Sequence, residues 1–244
     1  MPESVVLLHG FSGTHRAWDG VVGRLHPERY LPLALDLPGH GEAANAERPI
    51  TFAGCVANVL EAAPECFTLS GYSMGGRVAL HVALAAPERV ARLVLISTTA
   101  GIEDEAKRAA RRLADHRLAD ELERGGWAGF DSFIERWRTQ PLFAGDPPEV
   151  GAMAREEMLR NDPDALAWVL RGIGTGEMAP LWDRLAELQM PVMVLAGERD
   201  AKFQALGRQM VELLADAKLV VVPGGHCLPL ENPAAIAEHV SRWS

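Results

Sequence analysis

A chain of 244 residues, 48% of them hydrophobic, can bury one large core, or one core with a small insertion. Its formal net charge of −9 excludes the basic face of a nucleic-acid binder and admits an anionic substrate only where positive charge is concentrated locally. Cys55, Cys66 and Cys227 are too few and too oddly numbered for a disulfide framework, which points to a reducing compartment. No C-x-x-C or His/Cys cluster suggests a metal, so neither metal nor cofactor is expected.

The opening Met-Pro-Glu-Ser runs straight into Val5-Val-Leu-Leu8, with no basic region and too short an apolar run for a signal peptide or a membrane span. A cytoplasmic location is the expectation. Val5 to Leu8 reads as a buried parallel strand ending in His9-Gly-Phe-Ser-Gly13. Leu31 to Leu35 is a second strand, followed by Asp36-Leu-Pro-Gly-His-Gly41. Thr51 to Ala63 reads as a helix and Phe67 to Leu69 as a strand. After a turn through Gly71-Tyr-Ser-Met-Gly75, Val78, Ala79, Val82 and Ala83 recur at helical spacing until Ala86-Pro87-Glu88 stops the helix. Val90 to Ile96 is the next strand. Apolar strands alternating with small-residue helices predict a doubly wound, mostly parallel sheet.

From about Gly101 the pattern turns wholly helical. Residues 103–124 place Leu113, Leu118 and Leu122 on one stripe, and residues 128–138 place Phe130, Phe133, Ile134 and Trp137 at helix spacing. Two more helices, 149–160 and 163–171, are split at Asn161-Asp162-Pro163. Residues 101–178 are therefore expected to form a helical cap, a lid on a core made of 1–100 and 179–244. The sheet pattern resumes at Val192 to Ala196, which ends in Gly-Glu-Arg-Asp200. An amphipathic helix with Phe203, Leu206, Met210 and Leu213 follows, then a strand from Lys218 to Val222, then Pro223-Gly-Gly-His226. The last helix is expected from Pro233 to Trp243.

Gly71-x-Ser73-x-Gly75 between a strand and a helix is a nucleophile elbow. The glycines let strand and helix approach closely, leaving Ser73 on a strained turn above the sheet edge. A serine hydroxyl needs an imidazole to take its proton, and the imidazole needs a buried carboxylate to fix its tautomer. At the carboxyl ends of strands stand Ser73, Asp200 and His226, in the order nucleophile, acid, histidine. Asp36 is a rival acid but precedes the serine. Glu198 is another, and Asp200 is preferred because it lies further into its loop. Among eight histidines, His226 alone follows the last strand after glycines. His9 and His40 read as loop-fixing hydrogen bonders, and His81 and His239 as helix residues. The backbone N–H groups of Met74 and Phe11 are the expected oxyanion donors, one such donor being worth about 3 kcal/mol in a transition state.

His-Gly-Phe-Ser-Gly, Asp-Leu-Pro-Gly-His-Gly, Gly-Tyr-Ser-Met-Gly-Gly-Arg, Gly-Glu-Arg-Asp-Ala-Lys-Phe and Gly-Gly-His resemble the α/β-hydrolases. Gly-Tyr-Ser-x-Gly-Gly-Arg with Gly-Glu-Arg-Asp-x-Lys-Phe is similar, more narrowly, to the MenH family, the 2-succinyl-6-hydroxy-2,4-cyclohexadiene-1-carboxylate synthases of menaquinone biosynthesis. Trp137-x-x-Gln-Pro-Leu-Phe143 and Leu159-Arg160-Asn161 extend the likeness into the cap. The resemblance implies a lyase acting on a polycarboxylate, from which it eliminates pyruvate without adding water. In it Ser73, activated by His226 and Asp200, is a general base, and Arg77, Arg111, Arg160, Tyr72 and Trp137 line the site. That family usually carries two further strands before the His-Gly loop. Only four residues precede Val5 here, so a sheet of about six strands is expected.

The residues themselves leave alternatives open. Arg77 follows Ser73 by one helical turn on an otherwise small, apolar helix, and binds either a substrate carboxylate or a structural partner in the cap. Arg111, beside Arg108 and Arg112, suits a solvated helix face equally well. Arg160 precedes a helix break, where the helix dipole alone favours a cation. Tyr72 and Trp137 could be packing residues. At the level of function, a serine hydrolase of esters or carbon–carbon bonds would use the same three residues, and a non-catalytic small-molecule receptor could retain them. Oligomeric state is not encoded in any of these features.

Overall fold

The computed structural model describes residues 2–242. Six strands form one sheet in the order β2-β1-β3-β4-β5-β6, every adjacent pair parallel: β1 (Glu3–Leu8), β2 (Tyr30–Leu35), β3 (Phe67–Tyr72), β4 (Val90–Ile96), β5 (Val192–Gly197) and β6 (Ala217–Val222). The order reverses between β1 and β3, so the loops after these two strands open into one crevice, where doubly wound sheets bind ligands.

Alternation along the strands sends side chains to both faces. Val6 and Leu8 of β1 join a core with α2 (Phe52–Ala62), α3 (Met74–Ala85) and α7 (Ala201–Leu213), through Val59, Val78, Val82 and Met210. Val5 and Leu7 join the opposite core with α1 (Asp19–Val22), α8 (Leu228–Glu231) and α9 (Pro233–Arg242), through Val21, Leu228, Ile236 and Val240. Trp243, expected in the last helix, lies outside the described residues.

No strand interrupts the stretch between β4 and β5, which contains α4 (Glu105–Arg138), α5 (Pro148–Met158) and α6 (Pro163–Ile173). The two helices expected over 103–138 follow one another within α4, separated at Gly126, whose φ 49° and ψ −151° are not helical. α4, α5 and α6 share an apolar cluster of their own, containing Ala119, Leu122, Phe130, Phe133, Ile134, Met158, Leu166 and Leu170. The expected leucine stripe needs correction: Leu113 is 60% exposed, and the buried line of α4 runs through Asp115, Ala119 and Leu122. Spacings of four and three residues keep these on one face, whereas Leu113 starts a row that turns outward.

Candidate active site

β3 outlasts its expected end at Leu69 by three residues, because pairing with β1 and β4 continues through Gly71 and Tyr72. Ser73 then takes φ 52°, ψ −109°, a backbone region that side chains ordinarily avoid. Its neighbours hold it there. The Ser73 N–H donates to Ile96 O at 2.8 Å, and Thr98 Oγ1 donates to Ser73 O at 2.7 Å. A Cβ at Gly75 would lie 2.2 Å from Leu8 O, and one at Gly71 2.4 Å from Gly75 O. Only glycine at both positions lets β1, β3 and α3 meet at this point.

Ser73 Oγ lies 3.2 Å from His226 Nε2, and His226 Nδ1 lies 2.8 Å from Asp200 Oδ2. With the proton on Nδ1 donated to the carboxylate, Nε2 is left as the acceptor of the serine proton. Asp200 caps α7, its Oδ1 accepting the Phe203 N–H at 3.4 Å, and both Asp200 and His226 are buried. The rings of Phe203, Tyr72 and Phe143 stand 4.7, 5.4 and 6.1 Å from the imidazole and pack around it.

The rival residues have other partners. Glu198 is exposed. Asp36 accepts the amides of His15 and Glu42 at 2.6 and 2.9 Å and the His15 ring at 3.0 Å. Burial pushes its carboxyl upward, but these contacts outweigh burial and hold it below the usual carboxylate range. His9 Nε2 accepts the Leu37 N–H at 3.0 Å, and His40 Nε2 accepts the Ser12 N–H at 3.2 Å. Burial lowers His9 to about 4 and His40 well below its ordinary value, so both are neutral ties between loops. His81 stacks on Phe52 at 4.2 Å.

A cavity of about 890 Å³ lies over Ser73 and His226, and Phe11 and Met74 line it beside them. Neither the Phe11 nor the Met74 N–H donates to a protein acceptor among the described residues, which suits both to receive a developing negative charge. Tyr72, Trp137, Arg77 and Arg111 also line the cavity. Trp137 packs on Phe11 at 5.0 Å between ring centroids, joining the cap to the loop after β1. The Tyr72 hydroxyl reaches Cys227 Sγ at 3.8 Å. Burial raises Tyr72 well above its ordinary value and the Cys227 thiol to about 12, so neither supplies an anion.

Arg77 is buried without a carboxylate within ion-pair distance among the described residues; its Nη1 donates to Ile173 O at 2.6 Å. Burial and the nearby Arg111 lower its pKa to about 10, partly offset by Asp115. A guanidinium so placed at a cavity wall is short of negative charge. Arg111 also lines the cavity, with its Nε on the buried Asp115 at 2.8 Å.

Unlike its partner Glu157, Arg160 is not among the residues that line this cavity. Its Nε pairs with Glu157 Oε1 at 3.1 Å just beyond the end of α5, and its side chain is 41% exposed. Other cations stand where no substrate contact was expected: Lys107, Arg138, Arg199 and Lys202 all line the cavity. Arg138 donates to Asp146 at 2.7 Å and lies over Phe143, 4.5 Å from its centroid. Its neighbour Trp137 was the only available signal for it. Lys202 stands inside the Gly-Glu-Arg-Asp-Ala-Lys-Phe run.

Among the described residues, no group of three or more His, Cys, Asp or Glu could hold a metal ion, and no helix is long and apolar enough to cross a membrane. The arrangement can move a proton to and from Ser73 and hold an oxyanion on backbone amides, next to cations able to grip carboxylates.

The sequence profile of the α/β hydrolase family matches residues 5–239. A Bacillus subtilis (strain 168) protein provisionally named 2-succinyl-6-hydroxy-2,4-cyclohexadiene-1-carboxylate synthase is 34% identical, over 99% of this chain and 90% of its own. The Salmonella schwarzengrund synthase of that name is 32% identical over 98% and 92%. The solved structure of MenH from S. aureus superimposes with a TM-score of 0.89 at 32% identity, covering 98% of this chain and 92% of that one. The chain therefore belongs to the α/β hydrolase family and, within it, groups with the 2-succinyl-6-hydroxy-2,4-cyclohexadiene-1-carboxylate synthases.

Proposed function

We propose that this protein is a carbon–oxygen lyase of menaquinone biosynthesis. It eliminates pyruvate from 2-succinyl-5-enolpyruvyl-6-hydroxy-3-cyclohexene-1-carboxylate to give 2-succinyl-6-hydroxy-2,4-cyclohexadiene-1-carboxylate, the compound for which its relatives are named. The observation that carries the reading is the Ser73 relay opening into a cavity beside a buried Arg77 with no carboxylate within ion-pair distance among the described residues.

In this reading His226 takes the Ser73 proton as Ser73 Oγ takes a ring C–H proton, and Asp200 stabilises the imidazolium. The C2–H electron pair is held as an enolate on the adjacent succinyl ketone oxygen, which the Phe11 and Met74 amides receive. It then forms C2=C3 as C3=C4 shifts to C4=C5 and the C5–O bond to the enolpyruvyl group breaks. Enolpyruvate leaves and becomes pyruvate once protonated on carbon, with no water added. Arg77 and Arg111 hold carboxylates of the bound substrate, and Tyr72 and Trp137 shape the wall. Residues 101–178 act as the lid that shuts the site from water.

The contact of Ser73 with His226 also favours a second reading, hydrolysis of an ester through an acyl group on Ser73. Pyruvate release from the enolpyruvyl substrate, followed with lactate dehydrogenase and NADH, separates the two. Release that Ser73→Ala lowers by at least about a thousandfold is expected. No release, together with a burst of p-nitrophenol and an acyl group trapped on Ser73, would establish the hydrolase instead.

A further inference from the structure

The loop carrying the Phe11 amide closes on itself through the Gly13 N–H to Gly10 O bond at 3.1 Å and is braced further from outside. It spans residues 9–14 between β1 and a short 3-10 helix at His15–Trp18, and its Ser12 has φ 61°, which needs support from outside. From the core, His40 Nε2 accepts the Ser12 N–H at 3.2 Å. Asp36, after β2, holds the amide of His15 at the loop's end at 2.6 Å. Further supports come from the helical stretch between β4 and β5, more than 140 residues away in sequence. Glu157 Oε2 accepts both the Thr14 N–H at 3.0 Å and the Thr14 hydroxyl at 2.7 Å. Asn161 Nδ2 donates to Ser12 O at 2.9 Å, and its Oδ1 accepts the Gly41 N–H at 3.1 Å, which ties in the loop after β2 as well.

Both side chains are buried, Glu157 in the last turn of α5 and Asn161 three residues past its end. Such charge-assisted and fully satisfied buried contacts are costly to break singly. Arg160 takes the second Glu157 oxygen at 3.1 Å and so orients that carboxylate.

We infer that Glu157 and Asn161 are positioning residues for the oxyanion-binding amide of Phe11: the cap, through the end of α5, sets the loop that completes the catalytic site. The inference rests on the oxyanion role given to Phe11 above. It makes the end of α5 a fixed anchor of the cap. It also gives Arg160 a place in the machinery away from the cavity, as the residue that holds Glu157 in register.

The test uses variants outside the cavity wall, because neither Thr14 nor Asn161 lines it. Thr14→Val deletes the hydroxyl's bond to Glu157 and its acceptance of the Arg16 N–H at 3.3 Å. Asn161→Asp keeps the acceptor for Gly41 but loses the donor to the Ser12, Glu157 and Met158 carbonyls. Each is measured for kcat and KM in pyruvate release, for melting temperature, and for the rate at which an alkyl fluorophosphonate labels Ser73. The label displaces fluoride while its phosphoryl oxygen occupies the oxyanion position. Both variants should lower kcat by about tenfold, a fraction of the loss of a whole donor, with KM within about twofold. Labelling should slow by a similar factor, and Thr14→Ser should restore both rates. Raised KM at unchanged kcat, or unchanged labelling at wild-type melting temperature, would overturn the inference. Should Asn161→Asp unfold, Thr14→Val decides. If the parent releases no pyruvate while labelling still slows in both variants, the anchor stands and the substrate assignment falls.

Discussion

At the scale of single residues, Arg77 most directly separates structure from function. Its Nη1 bond to Ile173 O ties α3 to the end of α6, its guanidinium lies over the Phe52 ring at 5.9 Å, and the residue lines the cavity. Arg77→Met should therefore do two things. The carbonyl of Ile173 loses its donor, which should cost about 1–2 kcal/mol of stability in a denaturant titration. KM for the enolpyruvyl substrate should rise ten- to hundredfold, matching the roughly 1.5–3 kcal/mol of a charge-assisted contact. A loss of stability with unchanged KM would make Arg77 a structural tie alone.

Arg111 and Arg160 show why a cation in sequence is not yet a cation in a site. Arg111 stands on α4 four residues before Asp115, and Arg160 just past the end of α5 three residues after Glu157, and each pairs with that acid. Helical spacing makes such pairs routine. What distinguishes them is that Arg111 lines the cavity and Arg160 does not.

Among elements, the two loops after β1 and β2 behave as one unit. His9 in the first accepts the Leu37 N–H of the second, His40 in the second accepts the Ser12 N–H of the first, and the two rings meet edge to face at 4.7 Å. Burial lowers His9 from an ordinary 6.5 to about 4, so the folded protein refuses a proton that the unfolded chain accepts. Stability from this group is complete above pH 6.5 and is lost as pH falls from there towards 4, at about 1.4 kcal/mol per pH unit. Urea unfolding at pH 7.5, 6 and 5 should show this decline, and His9→Asn should flatten it by roughly one proton. An identical slope in the variant would remove His9 from the acid sensitivity.

For the whole molecule, charge is arranged against its own average. The chain carries −9, yet among the described residues six cations, Arg77, Lys107, Arg111, Arg138, Arg199 and Lys202, line the cavity over Ser73 against four acids, Glu103, Asp104, Glu157 and Asp200. A polyanionic substrate is drawn by that local excess, which salt screens with a Debye length of about 10 Å at 0.1 M. Raising KCl from 50 mM to 0.5 M should raise KM severalfold while kcat stays nearly constant. A flat KM would mean that these cations are spent on protein acids and do not bind substrate.

The sequence by itself determined whatever depends on near neighbours: the elbow around Ser73, the alternation of strands and helices, and Asp200 and His226 each at a strand's carboxyl end. Short spacings set backbone period and turn chemistry, so these features are written locally. The same locality misled at Leu113, where a leucine row suggested a buried stripe that the packing of α4 on α6 puts outside. Only the tertiary structure decided that Arg160 pairs with Glu157, that Arg138 and Lys107 line the cavity, and that Glu157 and Asn161 reach back to Thr14 and Ser12. Those placements follow from the angle at which a separate helical layer settles on the sheet. That angle comes from many apolar contacts summed over distant parts of the chain, and no short stretch encodes it.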